Sequence, residues 1–107
     1  QNLVDLTAGE KYGQIKLGVQ DALTLQRIAR SLHRLAETSC NYGLTPQQEV
    51  RQDHLAETAH RIAKVNGYIC YVQSDPRGWP LYVGPSSVLN GSSVESSYDR
   101  LTAVCPL

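Results

Sequence analysis

No apolar run among these 107 residues approaches the roughly 18 positions that a membrane helix needs, so a soluble chain without a membrane partner is expected. Methionine is absent and the chain starts at Gln1. An open reading frame needs an initiator, so residues cut or missing ahead of Gln1 are expected and the amino-terminal edge of the domain is left open. No basic segment followed by an apolar run stands at that end, hence no visible signal peptide, although one already removed would leave no trace. An excess of either charge is lacking too, because ten basic and ten acidic residues cancel. That removes the usual footprint of a nonspecific nucleic-acid binder and excludes an acidic DNA mimic. Cysteine is scarce: Cys40, Cys70 and Cys105 are odd in number and far apart. They match neither a secreted disulfide framework nor paired zinc knuckles, and a reducing cytoplasm is the expected compartment.

What remains is an ordinary globular composition, 41% hydrophobic and 19% charged, at a length typical of one domain. Residues 1–20 hold Gly9, Gly13 and Gly18 and one regular feature, Ile15, Leu17 and Val19 alternating with Lys16, Gly18 and Gln20. This reads as an extended N-terminal arm or edge strand. From Asp21, a candidate cap, the period changes to 3.6, and Leu25, Ile28, Ala29, Leu32, Leu35 and Ala36 make one apolar stripe of a helix ending near Thr38. Arg27, Arg30 and Arg34 recur on another face, within about 11 Å along the axis.

Cys40 to Leu44 interrupts that helix, and Thr45-Pro46-Gln47-Gln48 then supplies a cap, a first-turn proline and a capping-box glutamine. Leu55, Ala59, Ile62 and Ala63 form the inward stripe of the second helix, which Asn66-Gly67 stops by the left-handed route open to glycine. Two helices joined by a short loop should pack antiparallel. Two strand-like runs follow, Tyr68 to Gln73 and Pro80 to Val83, with the aliphatic face containing Leu81 and Val83 turned inward and Trp79 on the same side. A serine-rich stretch around Asn90-Gly91 reads as loop with a helical turn at Ser86 to Leu89. Leu101 to Cys105 suits a third strand. The expected fold is α+β, two antiparallel helices on a small antiparallel sheet of about three strands (ααβββ), with residues 21–107 as the single domain and 1–20 as its arm.

The best-specified piece is the turn Ser74-Asp75-Pro76-Arg77-Gly78-Trp79. Asp75 can accept backbone N–H groups, Pro76 pre-sets its φ, and Gly78 is expected to take the left-handed conformation that closes the hairpin through a bulge. Arg77 is thereby pushed to the tip, where a planar, always-charged fork suits a carboxylate, a phosphate or a partner's backbone.

Catalytic and metal chemistry find little support. His54 and His60 are six positions apart and fall on different faces, whereas a helical metal pair needs about four. Cys40 falls at the negative end of a helix dipole, the wrong pole for a thiolate. No nucleophile elbow, phosphate loop, dinucleotide turn or close carboxylate pair is present. A non-enzyme without cofactor or metal is expected. Tyr68, Tyr71, Trp79 and Tyr82 with Arg77 fit two uses: stacking of nucleobases, or the centre of a protein interface.

The ordered segments Ile28-Ala29-Arg30-Ser31-Leu32-His33-Arg34, Cys40-Asn41-Tyr42-Gly43-Leu44-Thr45-Pro46 and Gln73-Ser74-Asp75-Pro76-Arg77-Gly78 together resemble small proteins of tailed bacteriophages and prophages that lack an assigned activity. The resemblance covers about residues 21–83 and implies an accessory protein in a bacterial host cytoplasm, with no catalytic residues to carry over. The leading expectation is a viral protein that binds a host or phage protein through Arg77, Trp79, Tyr71, Tyr82 and Asp75, with inhibition of a host defence system as one use. The alternative is a nucleic-acid-binding regulator using Arg27, Arg30 and Arg34 with Arg77. A homodimer through the aromatic sheet face is a third reading.

Overall fold

The computed structural model describes residues 3–5, 15–85 and 101–107. Along the chain, strands β1 (Leu3–Asp5) and β2 (Lys16–Gly18) precede helices α1 (Val19–Tyr42) and α2 (Pro46–Val65); strands β3 (Tyr68–Val72), β4 (Leu81–Pro85) and β5 (Thr102–Ala103) complete the set. β3, β4 and β5 form an antiparallel sheet in that order. β1 and β2 make a separate antiparallel ribbon, with Val4 opposite Leu17. The architecture is α+β, two helices with a three-stranded sheet, as the sequence predicts.

α1 is longer than its apolar stripe suggested. It begins at Val19 with Gly18 as an N-cap that makes no side-chain cap bond, so Asp21 lies inside the first turn instead of capping it. At the other end the helix runs through Cys40 and Asn41 to Tyr42, four residues past Thr38. Nothing from Ser39 to Tyr42 lacks an N–H or forbids helical φ; the first residue to leave is Gly43, at φ 77°. The stripe itself is as expected, with Leu25, Ile28, Ala29, Leu32, Leu35 and Ala36 all buried.

α2 starts where its sequence says it must. Gln48 N–H donates to Thr45 Oγ1 at 3.2 Å, and the Thr45 N–H donates to Gln48 Oε1 at 2.9 Å, with Pro46 in the first turn. This reciprocal pair satisfies two backbone donors that a helix start leaves open. The helix ends at Asn66, and Gly67 takes φ 83° while its N–H reaches the Lys64 carbonyl at 3.0 Å. Only Ala59 and Ala63 are fully buried on α2; Leu55 and Ile62 pack against the core from its edge. Small side chains at the contact let the helix lie close to its neighbours.

The sheet turns one face to the helices. Cys70 stands opposite Val83 and Val72 opposite Leu81, so these four share a face, and the Val104 N–H extends the ladder by donating to the Leu81 carbonyl at 2.9 Å. Cys70, Leu81, Val83 and Val104 enter one core with Leu25, Ile28 and Leu32 of α1. Ile15 and Leu17, beside and within β2, are buried in that same core, at 1% and 0% exposure. Completely buried leucines such as Leu17, Leu25 and Leu81 each contribute about 1.5–3 kcal/mol relative to being left in water. The third strand is confined to Thr102–Ala103, within the span predicted from Leu101 to Cys105, and Cys105 is exposed. The helical turn expected at Ser86 to Leu89 and the Asn90-Gly91 turn lie outside the described residues.

Candidate functional site

The β3–β4 connection is built by Asp75. Its carboxylate accepts the Arg77 backbone N–H at 2.9 Å, and its carbonyl accepts the Gly78 N–H at 3.3 Å, while the Gln73 N–H donates to the Pro80 carbonyl at 2.9 Å and continues the ladder into the loop. An aspartate followed by proline folds the chain this way because its short side chain can imitate a backbone acceptor and proline fixes φ. Gly78 does not behave as expected: among the described residues only Gly43 and Gly67 have positive φ. The turn closes through the Asp75 bonds and needs no left-handed residue. A Cβ at Gly78 would meet Gln73 Nε2 at 3.6 Å and the Tyr82 hydroxyl at 3.8 Å, ordinary van der Waals contact.

Arg77 stands at the tip with 89% of its side chain exposed. Its fork is not empty, however. Nη2 donates to Asp75 Oδ2 at 2.9 Å and Nε donates to Oδ1 and Oδ2 at 3.2 and 3.3 Å. These bonds hold the Asp75 carboxyl below its usual range and keep the guanidinium more firmly charged than usual. Pairing with Asp75 fixes the orientation of the guanidinium and leaves its outer N–H groups directed to solvent.

Beside this tip is an open cleft of about 360 Å³, lined by His33, Arg77, Gly78, Trp79, Pro80 and Pro106. Trp79 precedes β4 and is 40% exposed, so it does not follow Leu81 and Val83 into the core as strand alternation suggested. His33 comes from α1, where its Nε2 lies 2.6 Å from Glu37 Oε1. Of the five residues first linked to a partner site, Arg77 and Trp79 line the cleft, Asp75 orients Arg77, and Tyr82 approaches the turn. Tyr71 pairs directly with Tyr82 on the sheet face opposite Cys70 and Val83, and is half-buried. His33, Pro80 and Pro106 were missed as members of this site. They reach it from a helix, a strand start and the carboxyl-terminal segment, and no local pattern joins them.

Arg27, Arg30 and Arg34 are all exposed on α1 and form no ion pair with a described residue. Cys70 is different from the other two thiols: burial pushes it up to about 12, whereas Cys40 and Cys105 are exposed and all three are unpaired. Among the described residues no group of three or more His, Cys, Asp or Glu side chains is placed to hold a metal ion, and no helix is long and apolar enough to cross a membrane. Comparison with protein-family models, with curated proteins and with solved structures finds no match to this chain.

Proposed function

We propose that this chain is a small, non-catalytic accessory protein of a tailed phage or prophage that works in the bacterial host cytoplasm by binding a host or phage protein. Inhibition of a host defence component is the use that suits such a protein. The observation that carries the reading is the exposed Arg77 guanidinium, oriented by Asp75 and set beside the half-exposed indole of Trp79. Arginine and tryptophan dominate the energetic centres of protein interfaces, and a side chain already held in one orientation loses less freedom on binding. The Tyr82 hydroxyl reaches toward Gly78 of this turn, and Tyr71 stands opposite Tyr82 across the hairpin. Affinity capture from infected cells followed by mass spectrometry should recover a partner that R77A and W79A both lose. Unchanged recovery by both variants removes the proposed site.

A second reading is favoured by the three exposed arginines of α1, unpaired among the described residues, which give phosphates a contact line within about 11 Å of helix. It requires gel shifts with DNA or RNA whose affinity falls steeply with salt and is lost in R27A/R30A/R34A. A flat salt response discards it.

A further inference from the structure

We propose that the cleft beside Arg77 receives one large apolar side chain from an acidic segment of the partner protein, with the neighbouring carboxylates of that segment lying along Arg30 and Arg34. The inference rests on the reading of this turn as a protein-binding surface.

The cleft fits one anchor. Its volume of about 360 Å³ is at the low end of ligand pockets, about 300–1,000 Å³, enough for a large side chain. Trp79, Pro80 and Pro106 give it flat, stiff apolar walls that lose little rotamer freedom on contact. Among the described wall residues Arg77 is already paired with Asp75, and His33 Nε2 lies 2.6 Å from Glu37 Oε1. Among the described lining residues the one permanent charge, that of Arg77, is thus paired, which suits an apolar group and does not call for a phosphate chain.

Exposed positive charge lies on the helix that carries His33. At 3.6 residues per turn, Arg30 and Arg34 are rotated from His33 by about 60° and 100° in the same direction, and Arg27 by about 120°. All three are exposed and unpaired among the described residues. Of the carboxylates of α1, Glu37 Oε1 lies 2.6 Å from His33 Nε2 and Asp21 Oδ2 accepts from the Asn66 amide. A segment that seats an apolar residue against Trp79 would meet this positive strip with its flanks, and acidic flanks complement it.

Trp79 is the only tryptophan in the chain, so its emission reports on the cleft directly. The probe is a capped pentapeptide of phenylalanine with two glutamates on each side, compared with the same peptide carrying lysines and with an oligothymidylate. The glutamate peptide should shift Trp79 emission saturably, the lysine peptide should not, and R30E/R34E should weaken binding about tenfold. Raising salt on the unaltered protein should weaken it as well, which gives a reading independent of any variant's folding. No saturable shift with the glutamate peptide overturns the proposal, as does an equal response to the lysine peptide, or a saturable shift from oligothymidylate alone. If the peptide leaves Trp79 unmoved while R77A still abolishes partner capture, the acidic-segment assignment fails and the protein-binding reading stands. If R77A and W79A capture as the native chain does, the broader reading fails first.

Discussion

Asn66 donates from Nδ2 to Asp21 Oδ2 at 3.2 Å, and so ties the end of α2 to the first turn of α1. The same Nδ2 donates to the Ile62 carbonyl at 2.7 Å, one of the acceptors a helix end leaves open. One amide thus closes a helix and clamps the antiparallel pair. N66A should cost about 1–2 kcal/mol by urea denaturation, since the site is partly buried and both acceptors lose a partner. A cycle with D21A should show coupling of about 0.5 kcal/mol or more. Strict additivity would mean that the bond does not hold the helices together.

Leu17 tests how far the amino-terminal segment belongs to the core. It is completely buried among residues of α1 and the sheet. L17A should destabilise the protein by about 2–5 kcal/mol, the cost of lost burial plus a cavity, read from the shift in urea midpoint. A loss smaller than about 0.5 kcal/mol would show that β2 packs only loosely.

The Asp75–Arg77 pair gives the turn a pH dependence with a definite sign. Asp75 titrates lower in the folded protein than its ordinary value of about 3.9, chiefly because Arg77 donates to it. A depressed folded value means that the contribution is present above about pH 3.9 and disappears as pH falls through the lowered folded value. Solvent screens this exposed pair, so its main effect is local order. In NMR the Arg77 Hε resonance should titrate with a midpoint below about 3.9, and D75N should abolish that step. A midpoint at or above the ordinary value would contradict the pairing.

Cys70 should resist alkylation at pH 8 while Cys40 and Cys105 react, because burial pushes its thiol up to about 12 and leaves it protonated. Ellman's reagent should count two accessible thiols in native buffer and a third after unfolding. The raised folded value also has a sign: stability is intact below about pH 8.5, the ordinary cysteine value, and declines as alkali ionises the unfolded chain's thiol first. Three equally fast thiols would place Cys70 outside the core.

Much of the fold was legible where local chemistry decides it. Thr45, Pro46 and Gln48 specify a helix start through bonds made within one turn, and Asn66-Gly67 specifies its stop in the same way. The 3.6-residue stripe of α1 identified its buried face correctly, since that periodicity is a property of the helix itself. The end of α1 was less legible, because polar residues such as Ser39 and Asn41 weaken a helix without ending it. The candidate site was legible only in part. Asp75 and Arg77 are two residues apart and announced their turn, but the hydrogen bonds that occupy the Arg77 fork depend on side-chain rotamers that spacing does not set.

The sequence by itself therefore determined the capped start and stop of α2, the inward face of α1, and an arginine at the tip of an aspartate-proline turn. Each follows from interactions within a few residues. Tertiary packing alone decided that β2 completes the core, that Trp79 stays at the surface, and that His33 and Pro106 meet the hairpin to form a cleft. Those contacts join residues distant along the chain. They arise only when α1, the hairpin and the carboxyl-terminal segment bury their apolar faces against one another, and that arrangement has no local signature.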